Sequence, residues 1–584
     1  MALYSFLPAF LNAQVDTAWV RRYNGPGNSN DWAYSLAIDG QGNVYVTGGS
    51  RGSGTSVDYA TIKYNANGDT QWVRRYNGPG NSYDYAYALA VDGQGNVYVT
   101  GYSIGSATSR DYATIEYNSA GVEQWVARYN GPGNTDDEAY SLAVDGQGNV
   151  YVTGYSTGSG TYYDYATIKY NSAGVQEWVQ RYNGSGNGFD EAYALVVDGQ
   201  GNVYVTGGST GSATSFDYAT IKYNSQGAEK WVQRYNGPGN YWDEAYALAV
   251  DGQDNVYVTG YSVGSGTYED YATIKYNSEG VEQWVQRYNG PGNSDDYAKA
   301  IAVDGQGNVY VTGYSTGSGT YEDYATIKYN SLGQEQWVAR YNGPGNDWDE
   351  AYSLAVDGQG NVYVTGYRTG SGTYYDYATI KYNSAGVEQW VQRYNGSGNY
   401  WDEAYSLAVD GQGNVYVTGY RTGSGTYYDY ATIKYNSAGV EQWFARYNGS
   451  GNYWDEAYAL AVDEQGNVYV TGYSGGLGTG NDYATIKYVQ TQGVEEEIAS
   501  LQLVKTSGVE MYPNPAKSVI GVRCPFFEKT IKIFDVSGKM IKIVDNVTSA
   551  QEHKQEIKIS LKGINPGIYF LKLGKETKKF IVTK

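Results

Sequence analysis

Apolar and polar residues alternate along this chain in short runs that never reach the length of a helix. Between residues 244 and 290 the runs are Ala245–Val250 (AYALAV), Val256–Ser262 (VYVTGYS), Asp270–Tyr276 (DYATIKY) and Gln283–Tyr288 (QWVQRY). Each is rich in Val, Ile, Tyr, Thr and Trp and is bounded by Gly, Asn, Asp or Ser, which predicts half-buried strands joined by turns. No 3.6-residue periodicity of useful length appears. The four predicted strands are called A to D in chain order.

This pattern recurs without insertion or deletion. Trp occupies positions 19, 72, 125, 178, 231, 284, 337, 390 and 443, a constant step of 53 residues, and the V-Y-V-T and D-Y-A-T-I segments keep the same step. Four-stranded units repeated at about this length predict an all-β fold, a β-propeller. The first element, Thr17–Tyr23, is a strand D with no partners before it, and the last, Asp482–Tyr488, is a strand C with no strand D after it. Supplying the missing strand from the N-terminus predicts a closed ring of nine four-stranded blades over residues 15–488, with no exposed sheet edge.

Comparison of the units separates two ends of each sheet. The A–B turn is D-G-Q-G-N in seven of nine units and the C–D turn is usually N-S-x-G. The D–A connections vary instead, as SNDW, SYDY, TDDE, GFDE, YWDE, SDDY, DWDE, YWDE and YWDE, and so do the B–C loops. Trp32, Trp242, Trp348, Trp401 and Trp454 lie off the 53-residue grid in these D–A strings, beside Tyr241, Tyr400, Tyr453 and Phe189. Tyr162, Tyr163, Tyr374, Tyr375, Tyr427 and Tyr428 belong to the B–C loops. Rigid aromatics with polar tips suit a glycan or an extracellular protein as ligand, or they cap apolar gaps between blades.

The same strings carry acid. Asp31, Asp84, Asp137, Asp190, Asp243, Asp296, Asp349, Asp402 and Asp455 precede strand A, and Glu138, Glu191, Glu244, Glu350, Glu403 and Glu456 follow six of them. Two readings stand: a collar at the channel mouth for Ca²⁺ or a cationic ligand, or aspartates accepting backbone N–H bonds where the chain turns. An Asp repeated in all nine units fits the second better, so no cofactor is expected, and the glutamates are the better candidates for selectivity. D-G-Q-G-N lacks the spacing and distal Glu of a calcium loop and is assigned to structure.

Composition narrows the chemistry. The 584 residues include one His (His553) and one Cys (Cys524), both in the last 95. The first 489 therefore hold no Ser-His-Asp triad, Cys nucleophile or His- or Cys-ligated metal. They carry 25 Lys and Arg against 51 Asp and Glu, while residues 490–584 carry 15 against 10. The acidic body argues against nucleic acid and anionic lipid as partners. No apolar run is long enough for a membrane-spanning helix. Residues 1–14 (MALYSFLPAFLNAQ) end like a signal-peptide cleavage region but lack a positive n-region, and read as a truncated or mis-started signal peptide. Departures from ninefold repetition are scattered: Lys299 replaces a strand-A Tyr, and Lys230, Arg51, Arg110, Arg368 and Arg421 stand alone. None forms a recognisable acid/base pair, so a carboxylate-dependent glycan-active enzyme is the alternative to a non-catalytic binding or adhesion module, beside a purely structural surface ring.

V-D-G-Q-G-N-V-Y-V-T-G resembles the SBBP-type, NHL-like β-propeller repeat of bacterial extracellular proteins, with Asp254, Glu464 and Glu116 as departures. The resemblance implies a fold and an extracellular setting, not a reaction. After a polar linker, 489–506, the segment 507–584 carries Y-P-N-P, I-x-I-x-D-x-x-G, G-I-Y-F-L and a terminal K-K-F-I in order. It reads as a small β-sandwich, and it closely resembles the C-terminal sorting domain of the type IX secretion system of Bacteroidetes-like bacteria. That resemblance implies type IX machinery as a partner and export to the outside or the outer cell surface; the propeller itself is expected to be monomeric and without a membrane span.

Overall fold

The computed structural model describes residues 14–491 and, beyond them, 510–512, 519–524, 530–535, 539–545, 555–565, 567–573 and 576–582. The expected leader, apart from Gln14, and the expected linker beyond 491 lie outside the described residues, as does His553. The chain divides into two compact units, one ending at Gly493 and one beginning at Val494. All regular structure among the described residues is β-strand.

In the first unit the strands form nine four-stranded antiparallel sheets, each in the order A-B-C-D. Sheet 1 is Asp31–Ile38, Val44–Arg51, Val57–Tyr64 and Thr70–Tyr76. Sheets 2 to 8 follow at the 53-residue step. Sheet 9 combines Asp455–Val462, Val468–Gly476 and Gly480–Thr491 with the N-terminal strand Gln14–Tyr23, which pairs antiparallel to Gly480–Thr491 in the register Tyr23↔Tyr483. The last strand thus reaches Thr491, into the segment expected as linker.

Each sheet is tied to the next by side chains at fixed positions. The strand-C Tyr, fully buried, donates its hydroxyl to the strand-C Ala carbonyl of the following sheet: Tyr59 to Ala113 at 3.0 Å, Tyr430 to Ala484 at 3.0 Å, and Tyr483 of sheet 9 back to Ala60 of sheet 1 at 3.1 Å. Outside sheets 7 and 8, a strand-D Arg bridges its own strand-C Asp, as Arg75–Asp58 at 2.6 Å, and also donates to the strand-D Tyr of the preceding sheet, Tyr23 at 2.9 Å. In sheets 7 and 8 the strand-B residues Arg368 and Arg421 share this work, Arg368 pairing with Asp376 and Arg421 donating to Tyr394. The strand-D Trp lies against the C–D turn of the following sheet, where Gly68 has φ +81° and a Cβ would stand 2.5 Å from the Trp19 ring. That turn therefore needs glycine both for its left-handed backbone and for space.

Strand A is bulged in every sheet. The register shifts between Ala245 and Ala247, so Tyr246 is the extra residue opposite strand B. The bulge brings the carbonyl of Glu244 within 1.9 Å of where a Cβ of Gly260 would be, which explains the glycine of V-Y-V-T-G. The A–B turn is closed by its aspartate: Asp39 accepts from the backbone N–H groups of Gln41 and Asn43, from the Asn43 amide and from the Tyr45 hydroxyl, at 2.7–2.9 Å.

In the second unit the described strands form two antiparallel sheets. One has three strands, Glu510–Tyr512, Val519–Cys524 and Gln555–Ser560; the other has four, Met540–Asp545, Thr530–Asp535, Gly567–Leu573 and Glu576–Val582. Ile531, Ile533, Ile559, Leu561 and Leu571 are buried, the apolar positions of the alternation read in the sequence.

Candidate ligand-binding site

The D–A connection is built to hold two or three side chains outward. In Asn448-Gly-Ser-Gly-Asn452, Asn452 takes a left-handed φ of 56°, its N–H meets the Gly449 carbonyl at 3.1 Å, and the Asn448 amide donates to its side chain at 2.7 Å. Asp455 then accepts N–H bonds from Gly449 at 2.7 Å and Gly475 at 2.9 Å. This pins the loop to the B–C hairpin of the same sheet and leaves Tyr453 and Trp454 exposed on top.

The nine aspartates are accordingly not a collar at a channel mouth. Asp31, Asp84, Asp137, Asp190, Asp243, Asp296, Asp349, Asp402 and Asp455 are all buried. In each, both carboxylate oxygens accept backbone N–H groups, as Asp243 does from Gly237 at 2.6 Å and Val263 at 2.9 Å. Loss of water pushes these carboxyls up, to about 6 for Asp243 and about 7 for Asp349 and Asp402, against the opposing pull of the N–H bonds. No group of three or more His, Cys, Asp or Glu able to hold a metal ion occurs among the described residues.

The glutamates, and Trp32, belong to strand A itself rather than to a loop, because pairing with strand B begins at the aspartate in all sheets but the eighth, where it begins at Glu403. Trp32 is half-buried against Tyr85, 6.2 Å away, and does not join the other four off-grid tryptophans. Glu350, Glu403 and Glu456 accept hydroxyl hydrogens from Tyr367, Tyr420 and Tyr473 at 2.6, 2.7 and 2.5 Å. Glu138, buried, pairs with Arg110. Burial raises the carboxyls of Glu191, Glu244 and Glu403. These glutamates are partnered groups of an inner layer.

That layer contains a feature the sequence reading missed. The bulged strand-A residues touch from sheet to sheet in a run of ring contacts: Tyr34–Tyr87 at 6.1 Å, Tyr87–Tyr140 at 6.1 Å, Tyr140–Tyr193 at 6.4 Å and Tyr193–Tyr246 at 5.9 Å. Lys299 follows, its ammonium 5.4 Å from the Tyr246 ring; then come Tyr352–Tyr405 at 5.9 Å, Tyr405–Tyr458 at 5.7 Å and Tyr458–Tyr34 at 6.4 Å. The constant 53-residue step of this Tyr was the available signal.

Exposed aromatics remain as the outermost chemistry. Trp242, Trp348, Trp401 and Trp454 are 42–51% exposed, and Tyr241, Tyr400 and Tyr453 are exposed beside three of them. Residues that vary from unit to unit are matched across sheet boundaries, B–C hairpin against the next D–A loop. Tyr374 stacks on Tyr400 at 4.9 Å, Tyr427 on Tyr453 at 5.8 Å, Tyr162 meets Phe189 at 4.9 Å and Phe216 meets Trp242 at 5.3 Å. The partnering supports the gap-filling role for Tyr375 and Tyr428, half-buried against Trp401 and Trp454, while Tyr374, Tyr400, Tyr427 and Tyr453 keep open faces. Between sheets 5 and 7 the matching turns acidic: Glu269 faces Asp295, and burial together with the neighbouring carboxylates raises Glu269 and Glu322 to about 7.

Seven stretches, 18–53, 71–106, 124–160, 283–319, 336–371, 389–424 and 442–478, match the SBBP β-propeller repeat, and 510–584 match a secretion system C-terminal sorting domain. The chain is an SBBP-repeat protein with a secretion sorting tail. A tail of this family marks a secreted or outer-surface protein and engages the type IX secretion machinery. No helix among the described residues is long and apolar enough to cross a membrane. An uncharacterized WD repeat-containing protein of Acanthamoeba polyphaga mimivirus is 23% identical over 444 residues, 61% of this chain and 31% of its own length, so this SBBP-repeat protein spans less than a third of that relative. Among solved structures, a eukaryotic initiation factor covers 71% of this chain and 88% of its own at 8% identity, with a TM-score of 0.40. A PL25 ulvan lyase bound to a sugar covers 61% and 90% at 12% identity, TM-score 0.33, and Drosophila Plexin A with Semaphorin 1b covers 82% and 87% at 10%, TM-score 0.32. Likenesses of this size carry neither a ligand nor a reaction over to this chain.

Proposed function

We propose that residues 15–488 form a closed nine-bladed β-propeller, completed by its N-terminal strand, that acts outside the cell as a non-catalytic binding or adhesion module, with 507–584 a β-sandwich that serves export. The Tyr483–Ala60 hydrogen bond and the Tyr34–Tyr458 contact support closure, since each repeats between the ninth and first units a contact made inside the array. The observation that carries binding is the row of exposed Tyr and Trp held at one end of the sheets by pinned loops; exposed aromatic clusters on that scale mark interaction surfaces. The ligand is a glycan or an extracellular protein. Binding of the full chain to an array of polysaccharides and extracellular matrix proteins, lost in the double variant W401A/W454A with an unchanged melting temperature, is the expected result; an array silent throughout refutes the reading.

One observation favours a glycan-active enzyme as second reading. Glu322 and Glu269, raised to about 7, lie in one acidic neighbourhood with Asp295, Glu350 and Lys299, an asymmetric group of the kind general acid catalysis uses. Turnover of a bound glycan, abolished by E322Q with binding retained, is its test.

A further inference from the structure

One cavity on the variable end occurs where the ninth unit departs from its copies. It has a volume of about 630 Å³ and lies between Tyr427, Tyr453 and Trp454 on one side and the hairpin Gly475–Asn481 on the other. The equivalent space one unit earlier is filled. There Thr422 donates its hydroxyl to the Trp401 carbonyl at 2.7 Å, and the Tyr428 ring stands 6.4 Å from Trp401. At the 53-residue step Thr422, Tyr427 and Tyr428 become Gly475, Gly480 and Asn481, and Ser424 becomes Leu477, 81% exposed at the hairpin tip. Removal of two aromatic rings opens a slot beside a stacked pair that keeps its own, Tyr427 on Tyr453, with Trp454 edge-on to Tyr427 at 84°. A second cavity, of about 440 Å³, lies at the constant turns and is lined by residues of two neighbouring A–B turns, Asp304–Gln306 and Asp357–Gly360 among them.

We infer that the slot of the ninth unit is a subsite for a neutral glycan, taking one or two pyranose rings of an uncharged polysaccharide. The inference rests on the binding reading above. The volume falls within the range of small-molecule sites, about 300–1,000 Å³. The lining contains no acid or base, so the slot has nothing to neutralise a uronate, a sulfate or a cationic peptide. The body around it carries 51 acidic against 25 basic side chains and repels polyanions. What the slot offers is flat apolar faces at angles to one another, phenol hydroxyls at their rims, an Asn amide and accessible backbone of a glycine-rich hairpin. A pyranose ring presents the complement, a face of C–H groups bordered by hydroxyls. Stacked, rigid side chains bind such a face with little entropy left to lose.

The test is titration of the full chain with neutral hexa-oligosaccharides (gluco-, manno-, galacto- and xylo-configured), followed by calorimetry and tryptophan fluorescence. The expected result is binding by at least one of them, weakened about tenfold or more by W454A and by N481Y, which restores the ring found one unit earlier. N481Y leaves the strand backbone intact, and its melting temperature verifies folding. L332A, at an exposed C–D turn of the constant end, retains full affinity. Binding of a neutral oligosaccharide that N481Y and W454A leave untouched overturns the subsite while the binding reading stands. Binding confined to polyuronates, sulfated glycans or a protein likewise overturns it alone. No ligand of any class overturns both.

Discussion

At one end of each sheet the A–B and C–D turns repeat almost residue for residue; at the other, the B–C and D–A connections change from unit to unit. Both are glycine-rich and solvent-facing, so exposure does not separate them. The difference lies in what their side chains touch. At the constant end the repeated positions are committed to fixed neighbours, Gly68 to the Trp19 ring and Asp39 to four donors of its own turn. At the variable end the pinning is done by Asp and Asn acting on backbone, which leaves two positions per loop whose side chains the fold does not specify. Chemistry is free to vary only where the backbone is held without them.

The largest effects are expected where that commitment is broken. Trp284→Ala removes a nearly buried ring and leaves a cavity against Gly333, and is expected to cost about 3–5 kcal/mol in denaturant unfolding. A cost below about 1 kcal/mol means that the contact between neighbouring sheets is not what holds them. Asp243→Ala comes next: it strands the buried N–H group of Gly237, at about 1–3 kcal/mol for the unpaired donor, and leaves Val263 only its 3.3 Å bond to the Trp242 carbonyl. The cost should fall together with loss of hydrogen-exchange protection in that loop, and protection retained contradicts the capping role. At the variable end, Trp348→Ala is expected to change stability by no more than about 0.5 kcal/mol. A larger loss places that Trp among the gap-filling residues.

Acidity separates the two ends by sign. The strand-A aspartates of the variable end are raised from 3.8 to about 6, or about 7 for Asp349 and Asp402. They bind protons more readily folded than unfolded, so their contribution improves as pH falls from about 7 towards 4 and is least favourable at neutral pH. The A–B turn aspartates Asp39, Asp145, Asp251, Asp304 and Asp357 are lowered by hydrogen bonds that outweigh their burial, so their contribution is full above 3.8 and lost as pH falls below it. The melting temperature is therefore expected to be higher near pH 5 than near pH 7.5, and to drop again near pH 2.5. A melting temperature that rises from pH 5 to 7.5 removes desolvation as the dominant cause at the variable end.

Strand positions were legible because each strand advertises itself locally. Alternation, turn residues and the step of 53 placed Val256–Ser262 within one residue of the observed Val256–Val263. The site was less legible. Trp32 and Trp242 each stand beside the aspartate of a D–A string, yet one follows its aspartate and pairs inside strand A, whereas the other precedes its aspartate and is exposed. A shift of two residues across a strand start decides between them. The glutamates looked available for ligands because their partners, Tyr367, Tyr420 and Tyr473, stand 17 residues away on strand B.

The sequence alone determined the repeat, the strands, the turn chemistry and the export tail. All of these follow from the pleat of the backbone, from glycine's access to positive φ, and from motifs contiguous in the chain. Tertiary structure alone decided which acids are consumed, that the bulged strand-A tyrosines touch from sheet to sheet, and that a slot opens at the ninth unit. Each of these depends on side chains from two strands or two neighbouring units, and the contacts between them are not encoded at any single position.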